Sequence, residues 1–285
     1  SATEGSVDIH GFSVVGTTER GPIYSGFGNS TTLGARHCTF NISKNILAGG
    51  ATNITNGSTL WFNTNSLKDG RIYDNYIGPT DEYYSTILRA TTTRNSYGLV
   101  FDNNFFFKSQ FCYINSEPTS NSTDAGYLNV TFSYNRFDEC GGIYTYPGCV
   151  SSETSGNMRF LYNEFYRCGY VGDTYVIGTI ISQSSTEGAV PNDYSKVSFT
   201  VFGNLFKDCS RGIGISRGLE TVITRSASQM SVNVNNNRFI YPNMNRSDRD
   251  IRIVGYMGSA ANVYNVSLSA WKFNYNYFLS QGVVT

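Results

Sequence analysis

The chain has 285 residues and no net charge, because 21 Lys and Arg balance 21 Asp and Glu. This balance predicts no general attraction to nucleic acid or to an anionic membrane surface. No apolar run approaches the roughly 20 residues that cross a bilayer, so the sequence predicts no membrane span.

The first clear unit of the chain lies at 40–47 and sets the pattern for the rest. Phe40 and Ile42 are two residues apart, Asn45 follows, and Leu47 comes two residues after the Asn. The anchoring Asn recurs 28 to 41 residues apart, at Asn45, Asn75, Asn103, Asn135, Asn163, Asn204, Asn237 and Asn276. A repeat of this length is typical of one structural unit stacked on itself.

The copies of this motif differ in clarity along the chain. Segment 7–12 is interpreted as a further copy with His10 at its corner. The copies anchored at Asn75 and Asn103 are weaker, since Gly70 and Gly98 stand at their first apolar position. Polar or Gly-rich segments between the later copies are predicted to be protruding loops, at 111–127, 141–157, 183–195 and 210–230.

The spacing within one copy predicts a strand, a corner and a second strand. Two apolar residues spaced by two point to the same face of a strand. The next apolar residue comes five positions later, so the chain turns between them. Asn suits that corner because it tolerates left-handed backbone conformations and forms local hydrogen bonds. Corners stacked about 4.8 Å apart would join their Asn side chains in a ladder.

Three stretches carry a resemblance to a known family: NVTFSYNRFDECGGI, MRFLYNEFYRCG and SFTVFGNLFKDCSRGI. They resemble the coils of right-handed parallel β-helix proteins, the pectate-lyase-like superfamily, and the likeness extends over roughly residues 7–285. It implies an all-β, single-stranded parallel β-helix, a solenoid of about 8–9 coils with an Asn ladder. We expect a single domain over residues 1–285. This architecture alone does not define a function.

Neither end of the sequence offers an amphipathic helix that would cap an open β-helix, whose end exposes unpaired strand edges. Two interpretations follow. The chain is an excerpt of a longer helix, or it is a subunit whose end stacks on the beginning of another and builds a filament. The second interpretation predicts self-association through the β-helix ends.

Three of the six cysteines share one register. Cys140, Cys168 and Cys209 each lie five residues after an anchoring Asn, which predicts a stack in consecutive coils. Small apolar packing is favoured over a metal site, because no His is near them in sequence and no Cys-x-x-Cys spacing exists. Disulfides stay open at this stage, with Cys140 and Cys149 as the nearest local pair.

Eight Asn residues stand in sequons for N-linked glycosylation: Asn29, Asn41, Asn53, Asn56, Asn121, Asn129, Asn245 and Asn265. Asn41 and Asn129 alternate with apolar residues that face inward. Their side chains are therefore expected to point outward, where a glycan has room.

No motif in the sequence identifies a catalytic site. The resemblance implies that a lyase would need clustered acids for calcium and a basic residue that abstracts a proton. The weak candidates are Asp248, Asp250 and Arg252, and calcium is implied only if the protein is a lyase. No other cofactor is predicted. Segment 193–252 carries nine Lys and Arg against five Asp and Glu, so an acidic polysaccharide is a further candidate partner there.

Charged residues in equivalent positions alternate in sign between successive copies. Arg136 and Glu164 each follow their Asn by one position, and Glu139, Arg167 and Asp208 follow theirs by four. Such columns neutralise neighbours across a sheet, whereas catalysis of the lyase or hydrolase type needs carboxylates crowded together. The alternation therefore favours a structural role for these residues.

The sequence as a whole favours an extracellular or cell-surface structural protein, glycosylated and able to assemble end to end. Only 15% of its residues are charged, which is typical of a neutral polar surface over a β core. Two alternatives stay open. One is a polysaccharide lyase or glycoside hydrolase, and the other is an adhesin that binds glycans through Tyr-rich loops.

Overall fold

The protein is described from a computed structural model, which covers residues 5–15, 23–26, 38–49, 60–63, 67–79, 86–89, 96–109, 112–115, 127–146, 155–169, 180–183, 197–209, 212–216, 231–241, 251–254 and 271–280. Every regular element within these residues is a β-strand. The predicted all-β class is confirmed.

The strands form three sheets, which we name A, B and C. Sheet A contains β1 Gly5–His10, β4 Cys38–Ser43, β7 Leu67–Tyr73, β10 Ser96–Asp102, β13 Tyr127–Ser133, β16 Ser155–Leu161, β19 Val197–Phe202, β22 Ser231–Asn235 and β25 Trp271–Asn274. Sheet B contains β2 Ser13–Val15, β5 Ile46–Ala48, β8 Tyr76–Ile77, β11 Phe105–Phe107, β14 Arg136–Asp138, β17 Glu164–Tyr166, β20 Leu205–Lys207, β23 Arg238–Tyr241 and β26 Tyr277–Ser280. Sheet C contains β3 Ile23–Gly26, β6 Leu60–Asn63, β9 Thr86–Arg89, β12 Cys112–Asn115, β15 Ile143–Tyr146, β18 Ile180–Gln183, β21 Ile213–Ser216 and β24 Ile251–Val254.

Each strand lies parallel to its counterparts one repeat earlier and one repeat later. One strand from each sheet, taken in chain order, makes one coil. Coil 1 therefore begins with β1, coil 5 with β13, and coil 9 with β25. This stacking of equivalent strands is the parallel β-helix that the repeat predicts.

The corner between sheets A and B is two residues long, and the first of them has a left-handed backbone. In coil 5 this residue is Tyr134, with φ 54°, and Asn135 follows it into the interior. Residues other than glycine rarely adopt this conformation. The residues with positive φ at this corner are Gly11, Lys44, Asp74, Asn103, Tyr134, Tyr162, Gly203, Asn236 and Tyr275.

The Asn after each left-handed residue of coils 2 to 9 forms the predicted ladder. In coil 5 the backbone N–H and Nδ2 of Asn135 donate to Asn163 Oδ1, at 2.9 and 3.0 Å. Its Nδ2 also donates to the Phe101 carbonyl at 2.9 Å. Equivalent bonds join Asn45, Asn75, Asn104, Asn135, Asn163, Asn204, Asn237 and Asn276.

The ladder member in coil 4 is Asn104, and the prediction that placed Asn103 there is wrong. Asn103 is the exposed, left-handed corner residue with φ 52°, whereas Asn104 is only 2% exposed. The physical reason is the burial of the preceding strand. With Asn104 as the anchor, Leu99 and Phe101 point inward and are fully buried. The other register would turn Gly98 inward and leave the core unfilled.

Coil 1 ends the ladder without an Asn. The backbone N–H of Phe12 donates to Asn45 Oδ1 at 2.8 Å, so Phe12 occupies the ladder position. Gly11 supplies the left-handed residue, with φ 75°. His10 is the last residue of β1, and its Nδ1 lies 2.9 Å from Ser43 Oγ. The prediction that His10 marks the corner is therefore wrong, because the corner begins one residue later.

The core contains columns of equivalent side chains, as the spacing of apolar residues predicts. The second residue of each sheet B strand points inward, and from coil 4 onward this residue is always Phe. Neighbouring rings stack with centroids 4.5 to 4.9 Å apart. The column consists of Phe106, Phe137, Phe165, Phe206, Phe239 and Phe278. This close-packed column forms a rigid base beneath the outward side chains of sheet B.

Candidate functional site

The most distinctive described surface is the outer face of sheet B in coils 3 to 6, together with the corner that follows it. Inward apolar residues alternate there with outward residues of two kinds, aromatic and charged. We call this surface the sheet B patch, and it consists of Tyr76, Phe105, Phe107, Lys108, Arg136, Asp138, Glu139, Glu164, Tyr166 and Arg167.

An arginine at the centre of the sheet B patch lies between two aromatic rings. Arg136 projects from β14, and its Cζ lies 5.5 Å from the ring centroid of Phe105 in the preceding coil. The same atom lies 4.6 Å from the ring centroid of Tyr166 in the following coil. Contacts of a guanidinium with ring faces are favourable and leave its N–H groups available in the plane of the group.

Further aromatic contacts extend the patch toward coil 3. The rings of Tyr76 and Phe105 meet edge to face with centroids 5.3 Å apart. Phe107 lies 6.1 Å from Phe105 on the same strand, and Lys108 Nζ is 5.3 Å from the Phe107 ring centroid. All three rings are partly exposed. The patch therefore presents apolar ring surface beside cations.

Ion pairs tie the charged side chains of the patch together. Arg167 bridges two carboxylates, with Nη2 2.6 Å from Asp138 Oδ1 and Nη1 3.0 Å from Glu139 Oε1. Asp138 Oδ2 lies 3.4 Å from Arg136 Nη2, and Glu139 Oε2 lies 3.5 Å from Lys108 Nζ. Each oxygen of both carboxylates thus faces a different cationic nitrogen.

The corner after sheet B explains why these charges meet. Lys108, Glu139, Arg167 and Asp208 are its left-handed residues in coils 4 to 7, with φ between 47° and 54°. Their signs alternate from coil to coil, as the sequence indicates for the last three. Equivalent residues of adjacent coils are neighbours in a parallel stack, so each charge meets its opposite.

Two pKa shifts follow from these contacts. Burial raises the pKa of Tyr166, and its hydroxyl donates to Glu164 Oε2 at 3.0 Å, which raises it further. The hydrogen bond to Asp138 raises the pKa of Arg167, so this guanidinium stays charged. Neither shift brings a group toward neutral pH, where a general acid or base would work.

The predicted cysteine stack lies inside the coil, next to the patch. Cys140, Cys168 and Cys209 are buried free thiols, so Cys140 is unpaired, and Cys149, its suggested partner, lies outside the described residues. Each sulfur lies 3.4 to 3.5 Å from a carbonyl oxygen of the preceding coil. Burial raises the pKa of Cys168 well above its usual value. The described residues contain no group of three His, Cys, Asp or Glu able to hold a metal ion.

The other predicted site residues lie mostly outside the described residues. Asp248 and Asp250 lie outside the described residues. Arg252 lies in β24, but its side chain is not described. Of the sequons, Asn41 lies partly exposed in β4, and Asn129 lies exposed in β13. Asn29, Asn53, Asn56, Asn121, Asn245 and Asn265 fall outside the described residues.

Comparison of the chain with protein-family models, curated proteins and solved structures gives no match. Within the described residues, no helix has the length and apolarity that a bilayer crossing requires. The candidate site is therefore defined by its own geometry. It offers an exposed aromatic and cationic face, held from beneath by the Phe column.

Proposed function

We propose that the protein is a non-enzymatic structural protein of the cell surface or extracellular space, built from coils of the pectate-lyase-like type. The observation that carries this proposal is the Asn ladder, which runs without a break from Asn45 in coil 2 to Asn276 in coil 9. The Phe column runs beside it from coil 4 to coil 9.

These ladders support a mechanical role because they repeat the same strong contacts at every step. Each buried Asn bonds backbone and side chain of adjacent coils, which fixes the corner and leaves little freedom for bending. The stacked rings fix the interior in the same way. Stability in such a solenoid is a sum of nearest-neighbour terms, so an uninterrupted series suits a stiff rod.

The charges of the sheet B patch support the same proposal. Asp138 is the most buried carboxylate of the patch, with its side chain 11% exposed, and both of its oxygens face arginines. Both oxygens of this carboxylate are thus engaged by cations of the same sheet, as in a structural ion-pair network, and neither is left free for a substrate.

The experiment that tests the proposal combines imaging with an activity assay. Electron microscopy of the native material should show straight rods of constant width. Incubation with polyuronates, with and without calcium, should release no unsaturated products. Product formation that is lost in an Asp248→Asn, Asp250→Asn variant would replace the structural proposal with the polysaccharide lyase alternative.

End-to-end assembly forms the second part of the proposal, and the first and last described coils support it in two ways. Strands β2 and β26 carry no charged residue, although charges are the usual protection of a sheet edge. Phe278 is 50% exposed, whereas the other members of its column are buried. A second copy stacked on coil 9 would cover this ring, and the contact would repeat without closing.

Phe12 limits the strength of this contact. In a head-to-tail stack, the backbone N–H of Asn276 would meet Phe12, which has no side-chain acceptor. A Phe12→Asn variant supplies one and should assemble at lower protein concentration than the parent chain in sedimentation experiments. If both proteins remain monomeric at every concentration, end-to-end assembly is refuted while the rod-like fold stands.

N-linked glycosylation is the third part of the proposal. Asn129 is exposed on the outer face of sheet A, and its Oδ1 accepts a hydrogen bond from Asn157 Nδ2 at 2.7 Å. Glycosylation uses Nδ2, which leaves this acceptor in place. Protein from a glycosylating host should lose one glycan mass in an Asn129→Gln variant and none in an Asn157→Gln control. Equal masses of the parent and Asn129→Gln proteins would rule out this site.

A further inference from the structure

The sheet B patch has an excess of hydrogen-bond donors that face solvent. All four oxygens of Asp138 and Glu139 already face cationic nitrogens. A guanidinium has five N–H donors and an ammonium has three. Among the described residues, Arg136 makes one such contact, at 3.4 Å, and Lys108 makes one, at 3.5 Å. Around Arg136 and Lys108 the patch can therefore donate to a ligand, and its exposed acceptor is Glu164 at the border.

Exposure shows the same asymmetry. The side chain of Arg136 is 52% exposed and that of Lys108 is 54% exposed, whereas the carboxylates beside them are 11% and 34% exposed. The positive groups thus stand above the negative ones. An approaching molecule meets the cations first, although the charges of the pairs cancel formally.

The aromatic rings beside these cations add a second requirement on the ligand. Tyr76, Phe105 and Phe107 form a partly exposed apolar strip next to Arg136 and Lys108. Flat aromatic surface of this kind packs against the C–H faces of sugar rings, while guanidinium and ammonium groups bind carboxylate or sulfate. A sugar ring that carries an acidic group has both features.

We propose that the sheet B patch is a binding site for an anionic carbohydrate. Tyr76, Phe105 and Phe107 contact the sugar rings, and Arg136 and Lys108 contact the carboxylate or sulfate groups. Arg136 is the central residue, because the rings of Phe105 and Tyr166 hold its guanidinium in place before a ligand arrives. Pre-organisation of this type lowers the entropy cost of binding.

Glu164 gives the proposal a sharp test, because its negative charge would weaken the binding of an anionic ligand at one border of the patch. It is exposed, it pairs in register with Arg136, and its Oε2 accepts from the Tyr166 hydroxyl. A negative charge there repels an anion. Glu164→Gln should therefore strengthen binding, a change that a purely structural role of the patch does not predict.

The binding experiment uses heparin oligosaccharides as the sulfated probe, oligogalacturonates as the carboxylated probe and dextran as the neutral probe. We expect at least one acidic probe to bind and dextran not to bind. Arg136→Ala should weaken binding about tenfold, which corresponds to the loss of one charge-assisted hydrogen bond. Glu164→Gln should strengthen it a few-fold, and more so at low salt.

The control variant is Arg159→Ala, which removes the same charge from an exposed position on sheet A. It should leave the affinity within about twofold of the parent, since Arg159 projects from a different sheet. Circular dichroism checks that each variant keeps its sheet structure. Three results would each overturn the proposal: neither acidic probe binds, Arg159→Ala weakens binding as much as Arg136→Ala, or Glu164→Gln has no effect.

Discussion

Replacement of Asn104 by alanine tests the ladder at the position where the sequence is ambiguous. The Oδ1 of Asn104 accepts from the backbone N–H and Nδ2 of Asn75, at 3.1 and 2.9 Å. Its Nδ2 donates to the Ile72 carbonyl at 2.8 Å and to Asn135 Oδ1 at 2.9 Å. All four bonds are buried, and all four are lost when the side-chain amide is removed.

The loss of stability expected for Asn104→Ala follows from the groups that are left without a partner. The backbone N–H of Asn75 has no other acceptor among the described residues, and stripping a buried donor costs about 1–3 kcal/mol. The two bonds that Asn104 donates contribute about 1 kcal/mol each. We therefore expect Asn104→Ala to lower the free energy of unfolding by about 3–5 kcal/mol. With a slope of about 3 kcal/mol/M, the urea midpoint falls by roughly 1 M or more.

The adjacent Asn103 provides the matched control. It is exposed, and its side chain donates one hydrogen bond, to Asp74 Oδ1 at 2.7 Å. Asn103→Gly keeps a residue that tolerates the left-handed backbone and should change the unfolding free energy by about 0.5 kcal/mol or less. If Asn103→Gly destabilises the protein as much as Asn104→Ala, the ladder register is wrong.

Three further predictions concern single side chains. Burial raises the pKa of the Cys168 thiol, so its contribution to stability is fully present below about pH 8.5 and is lost as the pH rises further, because only the unfolded thiol ionises there. Cys168→Ala should therefore lessen the fall of the urea midpoint at alkaline pH. An unchanged fall would contradict burial of the thiol. Gly203 has φ 69°, and a Cβ there would lie 2.7 Å from the Tyr162 ring, so Gly203→Ala should lower the melting temperature, whereas an unchanged value would refute this close approach. Arg167→Met should destabilise the protein by about 1 kcal/mol or less, because the guanidinium that binds Asp138 is more than half exposed. High salt should abolish the difference in stability between the variant and the parent. A larger, salt-independent loss would contradict a screened surface pair.

The sequence identifies the fold because its signals repeat and support one another. Asn135 and Asn163 are each preceded by two inward apolar residues and followed by an inward Phe, and this spacing admits a single register. Coil 4 is different, since Asn103 and Asn104 are adjacent: Gly98 and Val100 precede Asn103 at the motif spacing, whereas Leu99 and Phe101 precede Asn104. The motif fits Asn104 better, and the burial of Leu99 and Phe101 confirms that register.

The candidate site depends on that register. With Asn103 as the anchor, Phe105 does not align with Arg136, and the aromatic residues of the sheet B patch are not predicted. The sequence therefore indicates the alternating charges but misses the rings that hold Arg136. The correct register would have revealed them, because Phe105 and Arg136 both follow their ladder Asn by one position.

The most direct test of the fold is detection of the ladder bonds themselves by nuclear magnetic resonance. Scalar couplings through hydrogen bonds connect a donor nitrogen with the carbon that carries the acceptor oxygen. We predict a coupling from the backbone nitrogen of Asn75 to Cγ of Asn104, and an equivalent one from Asn135 to Asn163. A coupling from Asn75 to Asn103 instead would contradict the register of coil 4, and the absence of both couplings in well-resolved spectra would contradict the stacked-coil architecture.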